Sequence, residues 1–263
     1  TEIIKQRYYN SNMFLKASLY DYGRNIIENK EIFCKTIPIV DCIHCMNNNY
    51  NFVSNTNHFL PSAYNYNTFS KINNIDNMAY IDVFCYYLFG NLTLNNILPS
   101  FALFYGSVNG IGNYNYEISE DYHELKMDKC FRDNINKGFE LDVYHSDNES
   151  DNESDNESDN DSDNDSDNYI TDEYIAVLKK IPVQLLFIEK LEGTLEDIIV
   201  NEFNDDILLS CLFQIAFSLT YLQKHYNFSH NDLHINNIMY SECTTKYLYY
   251  KINNKYFKIP TYG

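Results

Sequence analysis

Between His145 and Tyr169 the chain runs SDNESDNESDNESDNDSDNDSDN, a four-residue repeat without a single apolar side chain. Nothing in it can enter a core, and its eleven acidic residues, unrelieved by any base, repel one another. Ser146 to Asn168 is therefore expected to be a disordered, solvated insertion, and the fold must be assembled from the sequence on either side. The alternating acids lack the glycine turn and terminal Glu of a helix-loop-helix calcium site, so calcium is not expected there. A basic partner is the ligand such a tract could recruit.

The insertion also distorts the charge balance. The formal net charge of −18 falls to −7 without it, and no Lys/Arg cluster appears elsewhere. Phosphate backbones are held by such clusters, so nucleic acid is not an expected partner. Seven cysteines, an odd number, are scattered through apolar stretches, which predicts a reducing, cytoplasmic setting. Cys42-Ile-His-Cys45 suggests zinc, but no second closely spaced pair supplies the remaining ligands, so ordinary buried thiols are expected. No apolar run reaches the roughly 18 to 20 residues that span a bilayer, so a soluble protein without membrane contact is expected.

On either side of the repeat the pattern is globular. Glu31 to Ile37 reads as a strand ended by Pro38, Asn77 to Phe89 as a helix stopped at Gly90, and Phe101 to Tyr105 and Val183 to Ile188 as two further strands. Thr194-Leu-Glu-Asp197 has the form of a capping box. Leu208, Leu212, Ile215, Leu219 and Leu222 then recur at helical spacing, with Asn204 or Asp205 placed to cap that helix. Asn253-Asn254 between two Tyr/Lys-rich runs predicts a hairpin.

The most informative stretch is Phe228-Ser-His-Asn-Asp-Leu-His-Ile-Asn-Asn-Ile-Met-Tyr240, a polar loop between a helix and a short apolar strand. It resembles the protein-kinase catalytic loop, an H-R-D-L loop followed by an Asn five residues after the Asp, with His230, Asp232, Leu233, Asn237, Ile238 and Met239 in register. By that resemblance Asp232 is the catalytic carboxylate that faces the acceptor hydroxyl, and Asn237 is a Mg²⁺ ligand. Two positions depart from the pattern. Asn231 stands where an Arg contacts a phosphorylated activation loop, and His234 resembles the loops of small-molecule kinases.

The resemblance extends along the chain. Leu185 to Leu195 is similar to the kinase hinge, with Ile188 at the back of an adenine pocket and Glu189 and Leu191 offering backbone groups. Lys35 resembles the strand Lys that binds the nucleotide phosphates, and Asp82 is the best-placed helix acid to pair with it. The Gly-rich phosphate loop that should precede Lys35 is missing apart from Gly23, and the sequence ends at Gly263 before any D-F-G. What the resemblance implies is an α+β, protein-kinase-like two-lobed fold. Residues 1–188 would form the small lobe with its antiparallel sheet, and 189–263 the hinge and an incomplete helical large lobe. The implied activity is ATP- and Mg²⁺-dependent transfer to a protein Ser/Thr hydroxyl, with this chain inactive as it stands. A pseudokinase or interaction module, or an aminoglycoside- or choline-type kinase, is the alternative. With its Asn/Tyr-rich composition the chain is most similar to the divergent kinase-like proteins of giant DNA viruses, which would place it in host cytoplasm or virion.

Overall fold

The computed structural model describes residues 11–21, 23–50, 66–144, 172–201 and 204–262. The insertion expected to be disordered lies outside these. The chain is an α+β protein built on a curled antiparallel sheet. Strand β1 (Met13–Asp21) pairs with β2 (Ile26–Pro38) from Met13 opposite Cys34 to Asp21 opposite Ile26. Strands β3 (Phe104–Glu117), β4 (Phe139–Tyr144) and β5 (Glu173–Glu189) complete it. The order is β1-β2-β5-β3, with β4 also paired to β5.

Two compact units divide the described chain. Of the described residues, one comprises those within 11–12, 36–81 and 108–185, the other those within 13–35, 82–107 and 186–262. The first unit contains the short helices α1 (Cys42–Met46), α2 (Tyr66–Ile72), α4 (Tyr122–Leu125) and α5 (Lys129–Asn134). Its core joins Val40, Met46, Ile118, Phe131, Phe139, Ala176, Leu178 and Ile181, all nearly inaccessible to water. Strand β4 meets β5 from Phe139 opposite Leu178 to Tyr144 opposite Glu173. The acidic repeat therefore leaves from one strand end and returns at the strand end paired to it.

In the second unit lie most of helix α3 (Met78–Leu94), then α6 (Leu195–Asn201) and α7 (Asp205–Tyr226). Leu92 of α3, Leu98 and Leu222 of α7 form its buried centre, ringed by Phe89, Phe101, Phe217, Tyr221 and Phe228. Helix α3 does not stop at Gly90. A Cβ there would lie 2.9 Å from the Phe104 backbone nitrogen and 3.0 Å from the Ala102 carbonyl, so the glycine serves a close approach of helix to chain. Helix α7 is long and apolar enough by composition to cross a membrane, with a mean hydropathy of 1.3 over its best window. Its Phe217, Tyr221 and Leu222 pack into the unit, and its Ser210 hydroxyl donates to the Pro260 carbonyl. Asn204 caps it by accepting from the Asp206 N–H, and Asn227, at φ 52°, ends it in the left-handed conformation.

Two small sheets complete this unit. Strand β6 (Gly193–Thr194) pairs with β7 (Met239–Tyr240), and β8 (Tyr247–Ile252) pairs with β9 (Lys255–Pro260). The turn between β8 and β9 places Asn253 and Asn254 both at positive φ, 46° and 63°, which is the two-residue hairpin that their sequence predicts.

Candidate functional site

The polar loop follows directly from the end of α7. Phe228 is held edge-on against Phe89 of α3, with ring centroids 5.1 Å apart, so the chain enters the loop from a packed anchor. Ile235–Asn237 closes into a single tight 3₁₀ turn, in which the Asn237 N–H donates to the His234 carbonyl at 3.0 Å. That turn folds Asn237 back onto Asp232. Its Nδ2 donates to the Asp232 carbonyl at 2.9 Å and to Asp232 Oδ2 at 3.1 Å. The other carboxylate oxygen, Oδ1, lies 3.9 Å from His234 Nε2. The Asp232 side chain is 84% exposed, so a solute can reach it.

The loop is fastened to the linker that follows β5. Leu195 N–H donates to Ile238 C=O at 2.8 Å, and Glu192 N–H to Tyr240 C=O at 3.0 Å, on either side of the β6–β7 pairing. The start of α6 is fixed by the capping box. Thr194 N–H and Oγ1 both donate to Asp197 Oδ2, at 2.7 and 2.9 Å, and Asp197 N–H returns a bond to Thr194 Oγ1. The backbone bond from Thr194, followed by its hydroxyl bond, holds the Asp197 carboxyl below its usual range.

Upstream in the linker, Ile188 is buried and Glu189 is clamped twice to the start of the neighbouring strand. Its N–H donates to Leu103 C=O at 2.9 Å, and its Oε2 accepts from Leu103 N–H at 3.0 Å. Of the backbone groups expected from Glu189, the N–H is thus already committed. Leu191 is half-buried. Lys190 turns the other way to pair with Glu31 of β2 at 2.8 Å.

Lys35 is not the freely solvated lysine that strand alternation alone would leave. Its Nζ lies 2.6 Å from Asp82 Oδ2, a contact between β2 and α3 across 47 residues of sequence. The Tyr86 ring, one turn beyond Asp82 on α3, lies 5.7 Å from the same ammonium. Gly23, the one glycine ahead of Lys35, sits in the β1–β2 turn with its N–H spent on Asp21 Oδ1 at 2.8 Å, beside an Arg24–Asp21 ion pair. It offers no anion-binding amide.

The structure thus brings together Lys35 with Asp82, and Asp232 with Asn237, and ties the second pair to the linker holding Ile188, Glu189 and Leu191. No hydrogen bond or ion pair joins Lys35 to Asp232 or Asn237. Sequence reasoning missed Tyr86, Lys190 and Glu31. The helical i, i+4 spacing from Asp82 was the available signal for Tyr86.

With the amide nitrogen of Asn237 turned toward Asp232, Oδ1 is the acceptor end of that side chain. Together with the Asp232 carboxylate it is what the loop could offer a cation, and no three His, Cys, Asp or Glu side chains converge to hold a metal by protein alone among the described residues. Cys42 and Cys45 lie on α1, where burial pushes the Cys42 thiol up to about 12 and raises Cys45 as well. Comparison of the chain with family models, with curated proteins and with solved structures finds no match.

Proposed function

We propose that this chain is a protein-kinase-like phosphotransferase module that binds ATP·Mg²⁺ and directs the γ-phosphate to a Ser/Thr hydroxyl. The observation that carries the reading is the Lys35–Asp82 ion pair. A lysine and a carboxylate chosen from sequence for one joint task, on a strand and a helix far apart in the chain, are in contact. The order of elements supports it: Lys strand β2, helix α3, strands β3 and β5, linker, helix α7, polar loop, hairpin. The finer fold assignment, a small lobe followed by the start of a larger helical one, belongs to the same proposal.

In this reading the nucleotide would supply the γ-phosphoryl group, leaving as the diphosphate, and its metal would neutralise phosphate charge. Lys35, its ammonium oriented by Asp82, holds phosphate oxygens. Asn237 presents Oδ1 to the metal while its amide keeps Asp232 turned, and Asp232 orients the acceptor hydroxyl and takes up its proton. The carbonyl of Glu189 and the backbone of Leu191 receive the adenine edge, with Ile188 as the apolar wall. A small-molecule acceptor is the second reading, favoured by His234, whose imidazole stands beside the Asp232 carboxylate.

The test is a thermal shift with ATP and Mg²⁺, followed by γ-labelled transfer to peptide pools and to a panel of amino alcohols. A ligand at about 100 times its Kd adds roughly 2.7 kcal/mol to the native state. The expected result is a raised Tm that Lys35→Met removes. No shift at millimolar nucleotide would overturn both readings. Transfer to amino alcohols alone would select the second.

A further inference from the structure

The Lys35 ammonium has two partners on α3, not one. Asp82 Oδ2 lies 2.6 Å from Nζ and the Tyr86 ring centroid 5.7 Å, and the two residues stand one helical turn apart on the same face. The ring adds a second contact to the one that Asp82 makes. An ammonium within about 6 Å of an aromatic face is attracted to it, and more strongly where water is scarce. The site is only partly screened from water: Lys35 and Asp82 each expose about a third of their side chains, and Tyr86 is half-buried. Burial pushes the Tyr86 phenol up, Lys35 draws it down and Asp82 raises it, so all three groups share one electrostatic environment.

We propose that Tyr86 is a positioning residue for Lys35, its ring and the Asp82 carboxylate together holding the ammonium where nucleotide phosphates bind. The inference rests on the nucleotide reading of Lys35, and the phenol hydroxyl has no part in it: the ring is what acts.

Isothermal titration of the whole chain with ATP·Mg²⁺ tests it, using Tyr86→Leu, Tyr86→Phe and Lys35→Ala, with Tyr86→Met as a second ring-free variant should the leucine variant fail to fold. The ring-free variants should weaken ATP roughly fivefold, in keeping with a partly desolvated cation–ring contact, while Tyr86→Phe stays within about twofold of wild type. A second readout needs no nucleotide. Lysines are ¹³C-dimethylated by reductive methylation and the Lys35 signal is assigned by its loss in Lys35→Arg. It should lie upfield of the exposed lysines, keep that shift in Tyr86→Phe and lose it in the ring-free variants. Wild-type binding that the ring-free variants retain in full, or that Tyr86→Phe loses as they do, overturns the role of Tyr86 and leaves the nucleotide reading standing. A wild-type chain that binds no ATP overturns the nucleotide reading, and this inference with it. A Lys35 signal unmoved by loss of the ring overturns the contact itself.

Discussion

Asn237 turns its side-chain amide nitrogen onto Asp232, bonding both the backbone carbonyl and the carboxylate, so the acid is tied to a residue five positions later. The two are exposed and stand outside any apolar core, so the fold does not depend on them. In Asn237→Ala we expect a Tm within a few degrees of wild type, because exposed hydrogen bonds contribute only about 1 kcal/mol. Amide exchange from His234 to Asn237 should accelerate. Unchanged exchange would show that the turn holds without the side chain.

A corresponding separation of stability from binding is expected at Lys35. The Lys35–Asp82 pair retains solvent access at both ends, which limits its contribution to about 1 kcal/mol or less. Asp82→Asn should therefore unfold in urea within that margin of wild type, yet weaken ATP in the thermal-shift assay. A loss of several kcal/mol in the urea midpoint analysis would mark the pair as structural.

Gly90→Ala should destabilise the protein even though alanine favours a helix. The gain in helix propensity is about 1 kcal/mol, but the new methyl would meet the Phe104 nitrogen at 2.9 Å and the Ala102 carbonyl at 3.0 Å, both backbone atoms that cannot swing aside. Overpacking of that kind costs about 1–3 kcal/mol and should leave a net loss, read from the urea midpoint. Unchanged or improved stability would mean that α3 can move outward freely.

The thiols predict an alkaline limit. The folded chain holds the Cys42 proton more tightly than the unfolded chain, whose thiol titrates near 9.0, because burial first and Asp41 second push it up to about 12. Stability from that thiol is full below pH 9 and is lost as pH rises toward about 12. Urea unfolding at about pH 8 and about pH 10.5 should show the decline, and Cys42→Ala should flatten it. In maleimide labelling at neutral pH, exposed Cys130 and Cys243 should react before Cys42.

Replacing the acidic repeat by an Asn-Gly turn between Tyr144 and Glu173 should raise stability, since those residues already face each other across the β4–β5 ladder. Shortening the closed loop by roughly four doublings returns up to about 2 kcal/mol of closure entropy. A lowered Tm would show that the repeat contributes packing.

The parts of this fold legible in the sequence are those set by local chemistry. The Thr194–Asp197 capping box, the Asn204 cap, the Asn253-Asn254 turn and the polar loop all depend on residues within a few positions of one another. Strand lengths do not. Strand β5 was expected over Val183 to Ile188, yet it runs from Glu173. It passes Pro182 by a kink at Lys180, which adopts φ 55° with its N–H bonded to Asn113 Oδ1. Strand β3 was expected over Phe101 to Tyr105 and instead extends from Phe104 through the Asn- and Gly-rich run to Glu117, where pairing with β5 outweighs poor strand propensity. Helices α4 and α5 are too short to show a period at all. At the candidate site, Lys35 and Asp82 were legible from the order of elements, whereas the Lys190–Glu31 bridge depends on a strand pairing that no local pattern announces.

The two-residue pairing of β6 with β7 makes the linker and the polar loop a single mechanical piece. Gly193 lies against Tyr240 so closely that even a methyl group would collide with the ring at 2.9 Å. A side chain added at Gly193 would therefore strain the linker and the segment that follows Asn237 together, because one crossing fastens both.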